Sequence, residues 1–405
     1  MFTFVYHGLQ VVMHGATPTP FMGFFVYVWV VWSCKALGAR RYRPWTAEPP
    51  VQRVTVLVPV YNEPEGIFRR SLASVRLSLP TEMIAVVDGA DEHTAEIARE
   101  YCDQVVLIER SGKRAAIAAG LDVADPSTQV VVVLDSDTIW EPGALTELLR
   151  PFEDPRVGGV TPQQAIFDAA HSPVRQLANW IEDIRYHLTV PAQSAFGQVG
   201  CLAGRTIAYR REAFEPAVER MVSQQVFGVP LEIGDDRVLT NELLRNGWRT
   251  VYQSTALVHT NAPASWRRFW RQQLRWGRSS QRETLLSLRW LWRRPVAFAS
   301  FLTDIITPFA LYAVMALAVA HAVRGDNAAL ALPVVPAIAV AYVGMLFSIG
   351  IRQLGHLRRF PRDLRRLPLF VLQLTFVMVP VRIAAFATML HQDWGTRSAA
   401  LEGTQ

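Results

Sequence analysis

Two aspartates one residue apart, Asp135 and Asp137, directly follow the apolar run of residues 130–134. Carboxylate oxygens suit Mg²⁺ and Mn²⁺, and these ions typically combine one or two carboxylates with phosphate oxygens. A metal ion held there could stabilise a nucleoside diphosphate as negative charge develops on it. An Asp-x-Asp pattern is common in itself. Its position directly after a predicted strand favours a metal site that binds a diphosphate.

Three further aspartates stand where strands end or helices begin. Asp88 follows the apolar run 83–87 and could accept hydrogen bonds from a nucleobase or a ribose; an ordinary turn aspartate is the alternative. Asp235 and Asp236 precede a predicted helix over residues 238–245. One positioned carboxylate suffices as a general base that takes a proton from an acceptor hydroxyl. The alternative is an acidic pair that only complements the helix dipole.

Basic and aromatic residues offer contacts to a phosphate and a sugar. Gln272, Arg275 and Trp276 have the spacing i, i+3 and i+4, which places them on one face of a helix. Arginine can bind a diphosphate through two hydrogen bonds, and an indole can stack on a sugar ring, although membrane-interface anchoring would use the same residues. Lys113 could contact a phosphate, but the surrounding residues lack the rest of a Walker loop.

Alternating strands and helices must position these side chains. The predicted strands are residues 54–60, 83–87, 105–108 and 130–134, and the predicted helices between them are residues 65–77, 94–101 and 112–121. Continuous β-branched runs are typical of buried parallel strands, so the pattern predicts a doubly wound, mostly parallel sheet. Ligands bind beyond the carboxyl ends of such strands, which is where Asn62, Glu63, Asp88 and Asp135 fall.

Much of the apolar sequence is concentrated in segments suited to a membrane. Residues 21–37, 298–323 and 328–351 approach or exceed the roughly 20 residues of a spanning helix. Residues 367–390 are long enough but contain Pro380. Because proline removes a helix hydrogen bond and kinks the chain, we predict that this segment is bent or re-entrant and returns the chain to the cytosolic face.

Arginine-rich stretches lie beside these apolar segments. Residues 352–366 contain six arginines, and positive flanks mark the cytoplasmic side of a membrane protein. Residues 266–294, with nine arginines and five tryptophans, predict an amphipathic helix in the membrane interface, a solvated helix being the alternative. Since the basic runs follow the predicted membrane edges, the net charge of +6 does not indicate nucleic-acid binding.

The cysteines and the N-terminus show no pattern of a disulfide-stabilised protein, a cysteine metal site or a cleaved signal peptide. Cys34, Cys102 and Cys201 are far apart and form neither a metal-binding pattern nor a disulfide framework. The first residues lack the basic region of a cleaved signal peptide.

Taken together, these segments resemble processive family 2 glycosyltransferases, in particular the hyaluronan synthases and the nodulation-type chitooligosaccharide synthases. The resemblance covers about residues 50–398 of the 405. The matching segments are residues 58–63, 86–89, 112–114, 135–138, 154–160, 234–240, 272–276 and 394–397. The resemblance implies a glycosyltransferase A-type (GT-A) domain, which is Rossmann-like with a mostly parallel sheet, together with N- and C-terminal transmembrane helices and amphipathic interface helices.

The resemblance also implies a role for each matching residue. Asp236 is the expected catalytic base, and Asp135 and Asp137 are the expected ligands of Mg²⁺ or Mn²⁺. The residues expected to bind the donor are Asn62, Glu63, Asp88, Lys113, Asp135, Arg275, Trp394 and Arg397, of which Trp394 and Arg397 would close over the nucleotide. The residues expected to bind the acceptor are Cys201, Asp235, Gln272 and Trp276.

The expected organisation places the chemistry on the cytosolic side of the cell membrane. The expected domains are a membrane segment (1–43), a cytosolic catalytic domain (50–261), amphipathic interface helices (262–295), a transmembrane region (296–391) and a cytosolic tail (392–405). The expected partners are a UDP-sugar donor, a growing glycan acceptor and the lipid bilayer, without nucleic acid.

The expected activity is inverting and processive transfer from a UDP-sugar to a β-linked glycan. The resemblance favours UDP-N-acetylglucosamine (UDP-GlcNAc) as one donor. Two alternatives stay open at this point, a membrane transferase that adds a single sugar to a lipid and a non-enzymatic membrane protein on the same fold. The second alternative predicts loss of the acidic residues, yet Asp88, Asp135, Asp137 and Asp236 are all present.

Overall fold

The computed structural model describes residues 20–51, 53–263, 265–324 and 334–391. Two compact units are present. The α/β unit comprises Gly38–Phe301 and Ala384–Gln405, and the helical unit comprises Met1–Leu37 and Leu302–Ile383. The predicted contacts of Trp394 and Arg397 lie outside the described residues.

The strands of the α/β unit are β1 (Val54–Val60), β2 (Glu82–Asp88), β3 (Gln104–Ile108), β4 (Val130–Leu134), β5 (Ile139–Trp140), β6 (Val157–Ile166), β7 (Thr206–Arg210), β8 (Gln225–Val226), β9 (Val229–Pro230) and β10 (Arg249–Thr260). Within the described residues, eight of them form one sheet in the order β3-β2-β1-β4-β7-β6-β10-β5, and β8 pairs with β9.

The helices, in chain order, are α1 (Pro20–Arg41), α2 (Glu65–Arg76), α3 (Glu92–Arg99), α4 (Lys113–Val123), α5 (Ala144–Leu149), α6 (Pro173–Ile184), α7 (Val190–Ser194), α8 (Arg211–Val222), α9 (Asp235–Arg245), α10 (Trp266–Leu291), α11 (Pro295–Arg324), α12 (Val334–Arg352), α13 (Leu354–Arg359), α14 (Leu367–Gln373) and α15 (Val379–Ala387). Single 3₁₀ segments cover Arg150–Glu153, Ala169–His171 and Pro361–Arg366, and π-turns cover Arg185–Thr189 and Leu374–Met378.

The sheet confirms the predicted mostly parallel α/β fold. The four predicted strands are β1 to β4, with ends that differ from the prediction by at most one residue. Strand β1 pairs in parallel with β2 and β4, β2 with β3, and β6 with β10. Along β1, the even-numbered valines from Val54 to Val60 pack into one buried cluster, whereas Leu57 packs into a second. Both faces of the sheet are therefore buried, as continuous apolar strands require.

Strand β7 breaks the parallel order at the centre of the sheet. It runs antiparallel between β4 and β6, and Thr206 at its start pairs with Leu134 at the end of β4. The loop that precedes β7 therefore lies beside Asp135. The sequence did not predict this arrangement, and it decides which residues meet at the site.

The helical unit contains most of each described apolar helix of spanning length. By length and composition, Met22–Arg41, Pro295–Leu317 and Pro361–Ala387 are long and apolar enough to cross a membrane. The described part of the predicted span 328–351 belongs to α12, in which Tyr342–Arg352 is apolar but short for a bilayer. Residues 325–333 lie outside the described residues.

In the described residues the predicted segment at Pro380 is not split into a re-entrant pair, and the predicted return of the chain to the cytosolic face stays a prediction. The chain is helical from Leu367 to Ala387 without an intervening loop, and the irregularity is a π-turn over Leu374–Met378. In a π-turn the carbonyl of Thr375 would pair with the N–H of residue 380, which a proline lacks. The hydroxyl of Tyr312 donates to this carbonyl instead, over 3.0 Å.

The start of β6 leaves no room for a side chain at Gly158. A Cβ atom there would lie 2.7 Å from Trp248 Cβ and 2.8 Å from Trp248 Cγ, whereas a Cβ at Gly66 would meet nothing within 4 Å. We predict that Gly158→Ala destabilises the fold by about 1–3 kcal/mol through overpacking and that Gly66→Ala does not. Thermal unfolding of the full chain in detergent measures both, and equal midpoints would contradict the packing described here.

Candidate active site

Asp135 stands at the carboxyl end of β4, where α/β sheets bind ligands. Its backbone N–H donates to the carbonyl of Arg205, over 2.9 Å. The next residue, Ser136, is buried and donates its hydroxyl to Glu63 Oε2, over 2.9 Å. Glu63 follows Asn62, whose left-handed backbone (φ 46°) turns the chain after β1. The ends of β1 and β4 therefore bring Asn62, Glu63 and Asp135 to one edge of the sheet.

Lys113 lies between two of the predicted acidic residues. Its Nζ is 2.7 Å from Asp135 Oδ1 and 2.9 Å from Asp235 Oδ2, and its side chain is only 16% exposed. Burial opposes the charged ammonium, but Asp135 and Asp235 outweigh burial and hold the pKa of Lys113 above its ordinary value. Lys113 therefore carries a positive charge that both carboxylates share.

Asp235 and Asp236 begin α9, but their surroundings differ. Burial, followed by the charge of Asp235, raises the pKa of Asp236 above the ordinary value of an aspartate. Burial also acts to raise the pKa of Asp235, but the ammonium of Lys113 outweighs it and the pKa is lowered. Two neighbouring carboxyls whose pKa values are pushed apart take different roles in acid–base chemistry. Here Asp236 is the member of the pair that binds a proton more readily.

Gly204 separates Asp236 from Lys113. Its backbone N–H donates to Asp236 Oδ2 over 3.3 Å. A Cβ atom at Gly204 would lie 3.4 Å from Lys113 Nζ and 3.5 Å from Asp236 Cβ. Asp236 is also held by the backbone N–H of Arg237, which donates to Oδ1 over 2.7 Å. Gly204 therefore leaves open a space that both Lys113 and Asp236 border.

Cys201 lies on the same loop as Gly204, near Asp236. Its Sγ is 3.8 Å from Asp236 Oδ2. Two arginines hold this loop, because Arg185 donates to the carbonyl of Cys201 over 3.3 Å and Arg237 donates to that of Gly200 over 2.9 Å. The sequence analysis missed both arginines. Arg185 lies in the π-turn that follows α6, a local geometry that the residue pattern did not indicate.

Asp88 holds the loop that carries Lys113. Its two carboxylate oxygens accept the backbone N–H groups of Ser111 and Gly112, over 2.7 and 3.1 Å. Gly112 has a positive φ of 85° immediately before α4, a conformation that glycine adopts without strain. Each carboxylate oxygen has a second lone pair, so the predicted nucleotide contact is compatible with this structural role and stays a prediction.

Helix α10 brings Trp276 to the loop that precedes β7. The guanidinium carbon of Arg205 lies 5.6 Å from the centre of the Trp276 ring. Gln272 and Arg275 share this side of the helix by their spacing and are half-buried. Cys201 therefore belongs to the loop of residues 200–205 and Trp276 contacts that loop, whereas Asp235 pairs with Lys113. The acceptor roles of these three residues and of Gln272 stay predictions.

The buried face of α10 is polar, which the sequence did not predict. The two carboxylate oxygens of Glu283 accept hydrogen bonds from Gln224 Nε2, each over 3.1 Å, and burial raises the pKa of Glu283. Arg282 donates to the carbonyl of Ile233, over 2.9 Å. Arg114 donates to the same carbonyl and to Gln224, each over 3.0 Å. This network joins α10 to the residues immediately before Asp235 and to the helix that begins with Lys113.

Known proteins resemble this chain in sequence. A family model described as glycosyltransferase like family 2 matches residues 49–279. The chain is 30% identical to a hyaluronan synthase of Streptococcus pyogenes over 374 residues, which cover 88% of this chain and 86% of the relative. It is 29% identical over 364 residues to an N-acetylglucosaminyltransferase of Rhizobium leguminosarum bv. viciae, covering 86% of this chain and 82% of the relative.

A solved structure shares the fold. The structure of a mannosyltransferase from Pyrobaculum calidifontis, in complex with GDP-Man and Mn²⁺, matches with a TM-score of 0.61 at 19% identity, covering 93% of this chain and 99% of that one. The α/β unit therefore has the predicted GT-A fold. The chain belongs to glycosyltransferase family 2 and is a hexosyltransferase, and the resemblance inferred from its motifs is confirmed.

The position of Lys113 generates a prediction for sugar transfer. Lys113→Met leaves Asp135 and Asp235 without their shared cation, so we expect transfer to fall at least about 100-fold, as for other preorganised charges in active sites. Arg53→Met is the matched control, because Arg53 forms an ion pair with Asp125 at 3.0 Å that is largely exposed, and exposed pairs contribute little. Incorporation of radiolabelled sugar measures both variants. Full activity in a folded Lys113→Met protein would contradict the role of the ammonium.

Proposed function

We propose that this protein is a membrane-embedded, inverting and processive glycosyltransferase that elongates a β-linked polysaccharide from UDP-sugars. One observation carries the proposal. The carboxyl with the raised pKa, Asp236, borders the same space at Gly204 as the ammonium that is paired with Asp135. The proposed base and the sheet edge proposed to bind the diphosphate thus lie on either side of Gly204. A direct displacement needs the base for the acceptor and the leaving group of the donor close together.

In the proposed mechanism, Asp236 accepts the proton of an acceptor hydroxyl. The hydroxyl oxygen forms a bond to the anomeric carbon of the donor sugar, and the bond from that carbon to the diphosphate oxygen breaks and releases UDP. The backbone N–H groups of Gly204 and Arg237 hold the carboxylate in place. Inversion in one displacement requires no covalent intermediate on the enzyme. The residues proposed to bind the donor on this side of the site are Asp88, Asn62, Glu63, Lys113 and Arg275.

Asp135 and Asp137 are the residues that would hold Mg²⁺ or Mn²⁺. Within the described residues no group of three or more histidine, cysteine or acidic side chains is placed to hold a metal ion. Two carboxylates fit an ion that completes its coordination with diphosphate oxygens and water. When bound, such an ion neutralises charge on the leaving diphosphate. Mn²⁺ in the mannosyltransferase structure of the same fold supports this choice.

The names of the relatives support N-acetylglucosamine as a donor sugar. One relative is a hyaluronan synthase and another is an N-acetylglucosaminyltransferase. Trp276, beside the loop of residues 200–205, offers a flat surface for an acceptor sugar, with Cys201, Asp235 and Gln272 as its proposed neighbours. Trp394 and Arg397 are proposed to close over the nucleotide.

The apolar helices support a location in the cell membrane with a cytosolic catalytic domain. Among the described residues, three helices have the length and composition of spanning segments. The side chains of Leu286 and Leu288 on α10 and of Trp292, which follows its end, are exposed, as an interface helix requires. These helices would guide a growing chain into the bilayer. Transfer of a single sugar to a lipid is the second candidate, and the same helices would serve it.

Incorporation of radiolabelled sugar by membranes that contain the full chain tests the proposal. We expect long products from UDP-GlcNAc, alone or with UDP-glucuronate, and loss of incorporation when a chelator removes Mg²⁺ or Mn²⁺. Asp236→Asn should reduce transfer at least about 100-fold, whereas Asp122→Asn, at an exposed position on α4, should not. A lipid carrying one sugar would favour the second candidate, and full transfer by Asp236→Asn would refute the assigned base.

A further inference from the structure

Arg205 connects parts of the site that come from distant segments of the chain. Its backbone carbonyl accepts the N–H of Asp135 over 2.9 Å, and the preceding residue, Gly204, donates its N–H to Asp236 over 3.3 Å. The backbone of Gly204 and Arg205 therefore contacts both the proposed metal-binding motif and the proposed base. The side chain of Arg205 extends from this point.

Two buried acceptors fix the guanidinium group of Arg205. Nη1 donates to Gln164 Oε1 over 3.0 Å, and Nη2 donates to Glu182 Oε1 over 2.9 Å. Gln164 and Glu182 are 2% and 5% exposed. Gln164 is itself held, because its Nε2 donates to the carbonyl of Ala203 over 3.2 Å. A planar group bonded from two sides to buried partners has a defined orientation.

The fixed guanidinium group lies against the indole of Trp276. The distance of 5.6 Å from the Arg205 guanidinium carbon to the ring centre is within the range of a cation–π interaction. Trp276 belongs to α10, whereas Arg205, Gln164 and Glu182 belong to the loop before β7, to β6 and to α6. The orientation of Arg205 therefore links the indole to the sheet that carries Asp135.

We propose that Arg205 is a positioning residue, which holds the Trp276 indole so that a sugar stacked on the indole presents its hydroxyl to Asp236. This inference rests on the proposed function, since it assigns the acceptor sugar to Trp276. A displacement of about 1 Å between reacting groups can cost about 100-fold in rate, so the indole needs a rigid support. Arg205, held by Gln164 and Glu182, supplies that support.

Arg205→Lys is the test variant, because lysine keeps the charge but loses the planar fork. Arg210→Lys is the matched control. Arg210 ends the same strand that Arg205 precedes, donates to the carbonyls of Val157 and Phe152 over 2.9 and 3.0 Å, and lies 5.4 Å from the Phe152 ring centre. Both substitutions thus remove hydrogen bonds and a ring contact, but only the ring contact of Arg205 is with Trp276.

Two measurements on the full chain in lipid nanodiscs separate positioning from stability. The first compares sugar incorporated with UDP released, using UDP-GlcNAc alone and with UDP-glucuronate. The second follows the ¹⁹F resonances of protein labelled with 5-fluorotryptophan, in which the Trp276 signal is identified by its loss in Trp276→Phe. Glu182→Gln provides a milder second variant, since it keeps a hydrogen-bond acceptor for Arg205 but removes the charge.

We expect Arg205→Lys to lower the amount of sugar incorporated per UDP released about ten-fold and to shift the Trp276 resonance. Glu182→Gln should change both quantities in the same direction, and Arg210→Lys should change neither. An unchanged ratio and an unchanged resonance in both Arg205→Lys and Glu182→Gln would overturn the inference. If the wild-type protein incorporates no sugar from either donor mixture, the proposed function fails. The resonance still reports whether Arg205 positions Trp276, so the two failures are distinguishable.

Discussion

The ammonium of Lys113 lies between Asp135 and Asp235, and the proposed chemistry depends on that ion pair. Asp135 belongs to the end of β4 and Asp235 to the start of α9, so one side chain joins the donor edge of the sheet to the acidic pair. Burial raises the pKa of Asp236, and because Lys113 keeps Asp235 ionised, the negative charge of Asp235 raises it further. The protein thereby gives different roles to two adjacent aspartates.

The antiparallel strand β7 positions the loop that carries Gly204 and Arg205 at the site. Its pairing with β4 places Gly204 and Arg205 beside Asp135. Gly204 separates Lys113 from Asp236 without filling the space, and Arg205 contacts the indole of Trp276. Residues far apart in the sequence therefore meet around one short loop.

The sequence predicted the parallel half of the sheet, because the apolar runs of β1 and β4 are long, β-branched and buried along their whole length. The acidic residues stood out since they follow those runs directly. The insertion of β7 and the role of Arg205 depend on pairing between distant segments, which leaves no local pattern. Likewise, Arg282 and Glu283 would be solvated on an ordinary amphipathic helix. Their burial depends on the Ile233 carbonyl and on Gln224, which belong to a distant segment of the chain. The π-turn before Pro380 was not predicted, because the Tyr312 hydroxyl that donates to its Thr375 carbonyl belongs to another helix.

The pH dependence of sugar transfer, compared between the wild-type protein and Asp235→Asn, tests whether Asp236 is the base and whether Asp235 raises its pKa. A base must be ionised to accept a proton, so activity falls as the pH drops through the pKa of Asp236. We expect the wild-type midpoint to lie above the ordinary aspartate value of about 4. We expect Asp235→Asn to move the midpoint to lower pH, because the neighbouring negative charge is gone. Two results would rule out Asp236 as a base whose pKa Asp235 raises. One is a wild-type activity profile without an acidic limb above that value, and the other is an acidic limb that Asp235→Asn leaves in place.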